Sequence, residues 1–167
     1  MTSAKDLQEK TALTLELPGV LPDGQPVVRW RKKDLRSTNE MTLAISRGLA
    51  VILPMPVPTS AMQGHPDVFF DGYEVVVQVV EMPEVNRDSG VDLYDLIDLV
   101  CLGLHWQPKS AEAPLAGMLA HPLYLAQRPV EMAEGIAEQI PGFKHGGKVI
   151  LGANIYFNAV LQINPQE

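Results

Sequence analysis

From Lys148 to Ile163 the chain alternates without a break. Val149, Leu151, Ala153, Ile155, Phe157, Ala159, Leu161 and Ile163 interleave with Lys148, Ile150, Gly152, Asn154, Tyr156, Asn158, Val160 and Gln162. Successive side chains of an extended backbone point to opposite faces, so a period of two held for sixteen residues dictates a strand with one face in a core. A chain that carries this run must build a sheet. The run exceeds the usual strand length, which predicts a bend or bulge at Gly152 or an overhang that pairs outside the domain.

A second strand follows from Tyr73 to Met82, where valines crowd the sequence GYEVVVQVVEM. β-Branched side chains suit a pleated surface better than a helix. Tyr73, Val75, Val77 and Val79 form its buried face, and Glu74, Val76, Gln78 and Val80 a partly covered one. Pro83 ends the ladder because it has no amide hydrogen. After EVNRDSG, Ser89 is placed to cap a helix with Asp92 in its first turn. Leu93, Leu96, Ile97, Val100 and Leu104 then recur at helical spacing on one stripe, while Asp92, Asp95 and Asp98 face elsewhere.

A chain of 167 residues predicts one domain, here residues 1–167, with an N-terminal extension and first strand over 1–30 and an α/β core over 37–163. No apolar run is long enough to cross a bilayer and no charged-then-apolar leader opens the sequence, so the expectation is a soluble protein made in a cytoplasm, with no membrane partner. The single Cys101 excludes an intrachain disulfide and reads as a buried thiol. Fourteen prolines and thirteen glycines imply long connections around a modest core.

Along the rest of the chain, Leu7, Thr11 and Ala12 predict a short helix ended by Pro18 and Gly19. Val27 to Arg31 predicts a short strand, and Ser37 or Thr38 a cap for a helix through Met41, Leu43, Ala44 and Ile45 closed by Gly48. Leu49 to Leu53 is a continuous apolar run, a strand buried on both sides. MPVPTSAMQGHP reads as a loop, and Val68 to Phe70 as a hairpin arm against Tyr73 to Val75. Leu123 to Leu125 predicts a short strand, and Val130 to Ile140 a turn or two of helix. Together these predict an α/β (α+β) fold: a mainly antiparallel sheet of about four to five strands, two helices packed on one face, and long Pro-rich loops.

Chemistry-bearing motifs are sparse. His65, His105, His121 and His145 have no ligand spacing, and one cysteine makes no zinc knuckle, so neither a metal nor a cofactor is expected. No phosphate loop, nucleophile elbow or dinucleotide fingerprint is present, which argues against an enzyme. Trp30 between two arginines resembles a base-stacking platform, although one aromatic is thin support for nucleic-acid binding. Charge is better organised. Arg29, Arg31, Lys32, Lys33 and Arg36 fall within eight residues, opposed only by Asp34, whereas Asp67 to Asp98 holds nine acids and one base, Arg87. Such separation suits docking one copy's basic patch on another's acidic one; the competing reading is a solvated charged loop. Candidate inter-subunit residues are Arg29, Arg31, Lys32, Lys33, Arg36, Glu81, Glu84, Arg87 and Asp88.

The order of features resembles a known family. VVVQVVEMPEVNRDSGVDLYDLIDLVCLGLHWQP, which is a strand, an E-x-P-x-x-N-R connection and a helix ending in Leu-His-Trp, is followed far downstream by VILGANIYFNAVLQI. This arrangement, over about residues 40 to 163, resembles the phage tail-terminator and tail-completion proteins, the minor-tail-protein-U-like group. The Pro-rich loop after Leu53 and the basic segment before it lie outside the likeness. The resemblance implies a virion protein that assembles as a hexameric ring of copies of itself on the head-proximal end of the tail tube. Its neighbours would be the tail tube protein and the head–tail connector or neck proteins. DNA would pass through without specific binding, past a lumen for which Asp92, Asp95 and Asp98 are the candidates. The alternatives are another neck or tail-tube component, and a small ligand-binding or enzymatic domain with its pocket under the Pro54 to Pro66 loop.

Overall fold

In a computed structural model that describes residues 4–60, 72–134 and 150–162, the two strands singled out above become the centre of a sheet. β4 (Gly72–Glu81) and β6 (Leu151–Val160) pair antiparallel in unbroken register, from Gly72 opposite Val160 to Glu81 opposite Leu151. Their common face carries Val75, Val77, Val79, Ala153, Ile155 and Phe157, all fully buried. The fold is a mixed α/β one with a mostly antiparallel six-stranded sheet.

β1 (Val27–Arg29), α2 (Leu35–Ser46) and β2 (Leu49–Leu53) form a β-α-β unit in which β1 and β2 run parallel, and β2 then pairs antiparallel with β4. β5 (Tyr124–Glu134) borders β6, completing the order β1-β2-β4-β6-β5. The sixth strand, β3 (Val57–Ser60), lies where the sequence reads as loop. It pairs with β4 at Glu74, Tyr73 and Gly72, beyond the stretch of β4 that β2 occupies from Glu81 to Gln78. Pro54 and Pro56 lack the donors a ladder needs, so they break one long arm into two short strands. The hairpin arm expected at Val68 to Phe70 lies outside the described residues.

Helices cover both faces. α1 (Ala4–Leu15) and α4 (Leu93–Leu104) share the face of Val51, Val77 and Ile155; the predicted stripe Leu93, Leu96, Ile97, Val100 and Leu104 is buried there. α2 packs its Met41, Ala44 and Ile45 on the opposite face, against Ala50, Ile52 and Val80, with Trp30 and Ile150 at the margin. Two helices therefore share a face as expected, and a third sits behind the sheet. Residues 4–30 are integral to the core rather than an extension, since Leu7, Ala12, Leu15 and Val27 are all buried in it.

Three local features differ from the sequence expectation. The helices α2 and α4 are both capped by aspartate. The Asp34 side chain accepts from the amide of Arg36, while Ser37 and Thr38 sit buried one turn on and donate their hydroxyls to the Asp34 carbonyl. Asp92 and Asp95 close a reciprocal capping box on α4, and Ser89 instead braces the preceding turn through Val91. Gly152 shows no bulge. The irregularity falls on the partner, between Leu125 and Val130 of β5, and β6 over Leu151–Val160 pairs within the domain on both sides; residues 148, 149 and 163 of the predicted run lie outside the described residues. Val130 to Glu134 is strand, not helix, because backbone pairing with Ile155 to Leu151 overrides the helix preference of Glu, Met and Ala. The remainder of that predicted helix lies outside the described residues.

Gly48 joins α2 to β2 at φ +105°, and its Cα faces the backbone of Asn86: an added methyl would lie 3.1 Å from the Asn86 nitrogen. A side chain there meets both left-handed strain and a backbone that cannot give. Gly48→Ala is expected to destabilise the fold by about 1–3 kcal/mol, measured as a lowered urea midpoint.

Candidate functional site

The charged segments that the sequence singles out divide into spent and free groups. Arg29 is spent. Its guanidinium holds Glu9 through Nε at 3.0 Å and also binds Glu16, tying β1 to α1. The hydrogen bond to Glu16 is the main cause that raises its pKa, aided by Glu9 and opposed by burial. Arg31 is half-buried and donates to Gln8 at 3.3 Å. Glu81 is only 7% exposed and accepts from Asn86 Nδ2 at 2.7 Å. As candidate interface residues these three are corrected in different ways: Glu81 faces inward, whereas Arg29 and Arg31 are half-buried and their charges are committed to Glu9, Glu16 and Gln8 of α1.

Lys32, Lys33 and Arg36 stand exposed at the start of α2, with Arg36 reaching Glu40 at 3.4 Å across one exposed turn. Arg47, which the sequence reading missed, adds a base at the other end of the same helix. Glu84, Arg87 and Asp88 are exposed on α3 (Pro83–Asn86) and the turn after it, and Asp92, Asp95 and Asp98 on α4. Asp92 and Asp95 also serve the capping box, so their carboxylates have a structural duty besides any external one.

The larger omission is apolar. Leu35 (74% exposed) and Leu43 (52%) project from α2, and Tyr94 (62%) and Leu102 (70%) from α4. In each helix the two positions are eight residues apart, about 12 Å along the axis, and off the buried stripe. That off-stripe spacing is the signal by which the sequence would have disclosed them. Asp98 lies between Tyr94 and Leu102, with Asp95 beside them; Arg36 and Arg47 flank the leucines of α2. The two faces lie on opposite sides of the sheet. Trp106, at φ 64° just past α4, is also exposed and stands edge-on to His105, with ring centroids 5.3 Å apart.

Elsewhere the polar groups serve the fold. Trp30 is half-buried and donates Nε1 to Thr38 at 3.1 Å, so its ring belongs to the core behind the sheet and is no base platform. His105 Nδ1 accepts from the Leu125 amide at 3.4 Å. His65 and His145 lie outside the described residues. Cys101 is half-buried, not fully buried as expected; burial first, and then the charge of Asp98, push its thiol up from the ordinary cysteine value. Among the described residues no three His, Cys, Asp or Glu gather as a metal site.

A half-open cleft of about 320 Å³ lies between the Pro22 to Pro26 turn, the end of α2 and the α3–α4 connection, with no residue of Pro54 to Ser60 in its lining; the rest of the loop under which a pocket was expected lies outside the described residues. Asn86 Nδ2 is committed to Glu81 and to the Val91 carbonyl, each at 2.7 Å, and Gln25 donates to the Leu49 carbonyl at 3.3 Å. The amides on its walls hold the walls together. No helix among the described residues is long and apolar enough to cross a membrane.

No family model and no curated protein matches the chain. The functional reading therefore stands on the two outward faces and on the pattern of the sequence.

Proposed function

We propose that this protein is a structural component of a phage virion, a tail terminator that caps the head-proximal end of the tail tube as a homo-oligomeric ring, a hexamer in the family it resembles, and offers a surface for head attachment. The observation that carries the reading is the pairing of an apolar face rimmed with bases and an apolar face rimmed with acids on opposite sides of one sheet. Closed rings need heterologous contacts, in which two different patches of each copy meet. The strand, connection, helix and final strand of the resemblance correspond to β4, α3, α4 and β6, which form the middle of the fold. A net charge of −7 weakens adhesion to DNA phosphates, as a conduit for a genome requires. In this reading the protein transforms no substrate and takes no cofactor. Its partners are copies of itself, the tail tube protein and the connector or neck proteins.

Negative-stain electron microscopy with mass measurement at low and high salt tests the proposal. Closed rings with a central hole are expected, losing mass as added ions screen the charged rims. A monomer under all conditions, or one that binds a small metabolite stoichiometrically, overturns it.

A further inference from the structure

We infer that the contact between neighbouring copies is made by the outer face of α2 on one and the outer face of α4 on the next. The inference deepens the ring reading by naming its interface, and it rests on that reading only for its biological setting.

The apolar residues come first. Leu35, Leu43, Tyr94 and Leu102 are each more than half exposed and lie off the buried stripes, which are Leu93, Leu96, Ile97, Val100 and Leu104 on α4 and Met41, Ala44 and Ile45 with Ser37 and Thr38 on α2. A single exposed leucine needs no explanation, but two per helix on one side, at equal spacing on two helices, make two matching ridges. Helices laid side by side interdigitate such ridges. Polar rims then select the pairing. The α2 face and the turn before it carry Lys32, Lys33, Arg36 and Arg47 against Asp34 and Glu40. The α4 face and the segment before it carry Glu84, Asp88, Asp92, Asp95 and Asp98 against Arg87. An α2–α2 or α4–α4 pairing sets like charges against each other, whereas α2 on α4 sets opposite ones together.

Geometry makes the association directional. Because α2 and α4 flank opposite sides of the sheet, one copy cannot use both faces on the same partner. Each copy accepts one neighbour on each side, which yields a closed ring or an open filament. Asp95 and Asp98 then lie in the contact instead of lining a lumen.

Two double variants test this without touching the core: Leu35→Ser with Leu43→Ser, and Tyr94→Ser with Leu102→Ser. All four positions are solvent-facing, so circular dichroism and melting should stay close to the wild type, and a variant that melts much earlier is replaced by Leu43→Gln or Leu102→Gln. Sedimentation of each variant alone is expected to show self-association weakened at least about tenfold, since two apolar side chains no longer leave water at the contact. An equimolar mixture is expected to give a one-to-one dimer and nothing larger, because each variant retains the face that the other lacks. Wild-type rings that both variants still form overturn this contact and leave the ring reading standing. Mixtures that remain monomeric also overturn it. A wild type that stays monomeric in every salt overturns both, while open filaments from the wild type support the contact and count against the terminator.

Discussion

Truncating Phe157 to alanine is expected to remove about 3–5 kcal/mol of stability. Phe157 is the largest of the fully buried side chains among the described residues and sits on β6, opposite Val75 of β4 and Leu125 of β5. Its ring fills space between the sheet and the face shared by α1 and α4, where close packing leaves little room for collapse. The loss combines the transfer of an aromatic ring back to water with the cavity it leaves. Against a typical total of about 5–15 kcal/mol, it takes about a fifth of the stability or more. Urea unfolding followed by circular dichroism should show a lower midpoint at unchanged slope. Tyr156→Ala, one residue away on the half-open face, is expected to cost only about 1 kcal/mol. Equal effects at the two positions would contradict the alternation that places one inward and the other outward.

Gln8→Ala is the second large effect. Gln8 is fully buried on α1, and its amide donates to the Leu53 carbonyl at 2.9 Å and to the Trp30 carbonyl at 3.1 Å, while its oxygen accepts from Arg31 Nε. Both carbonyls lie where β1 and β2 end, and the Leu53 oxygen already accepts from the Trp30 amide. Gln8 therefore stands in for a strand that is not there and locks α1 to the end of the ladder. Removing the amide takes a donor from the Trp30 carbonyl while the Leu53 carbonyl keeps the Trp30 amide, at a cost of about 1–3 kcal/mol, and the emptied volume adds to that, so a loss of about 2–4 kcal/mol is expected. Gln8→Leu separates the two contributions by restoring volume without donors. It should recover part of the loss, and full recovery would show that the hydrogen bonds contribute little.

The elements written as strict periodicities were legible in the sequence. The alternation through Phe157 and Ile155, the valines of β4, and the stripe Leu93, Leu96, Ile97, Val100 and Leu104 all lie where their spacing predicts. What escaped depends on partners distant in sequence. β3 is hidden by the prolines around it and exists because β4 extends past the end of β2. Val130 to Glu134 has helix-forming residues and becomes strand because β6 presents an open edge. The caps were misread because Ser, Thr and Asp are near-equivalent at that position, and only the backbone decides which residue stands there. Charge was legible as composition but not as availability: Arg29 and Glu81 look like their neighbours in the sequence, and only the fold shows Arg29 tied to two glutamates of α1 and Glu81 buried against Asn86.

The interruption at Pro54 and Pro56 has a consequence for how this sheet yields to force or thermal agitation. A strand fastened to its neighbour by one continuous seam comes apart whole, whereas the arm beside β4 has two separate fastenings with a stretch between them where no rungs cross. The outer one, Val57 to Ser60, can let go of Gly72 to Glu74 while Leu49 to Ile52 keeps its grip, since sub-global opening follows the boundaries of contiguous hydrogen-bonded units. Release there bares the flank of β4 at Gly72 to Glu74 for a visiting strand without disturbing the core beneath α1 and α4.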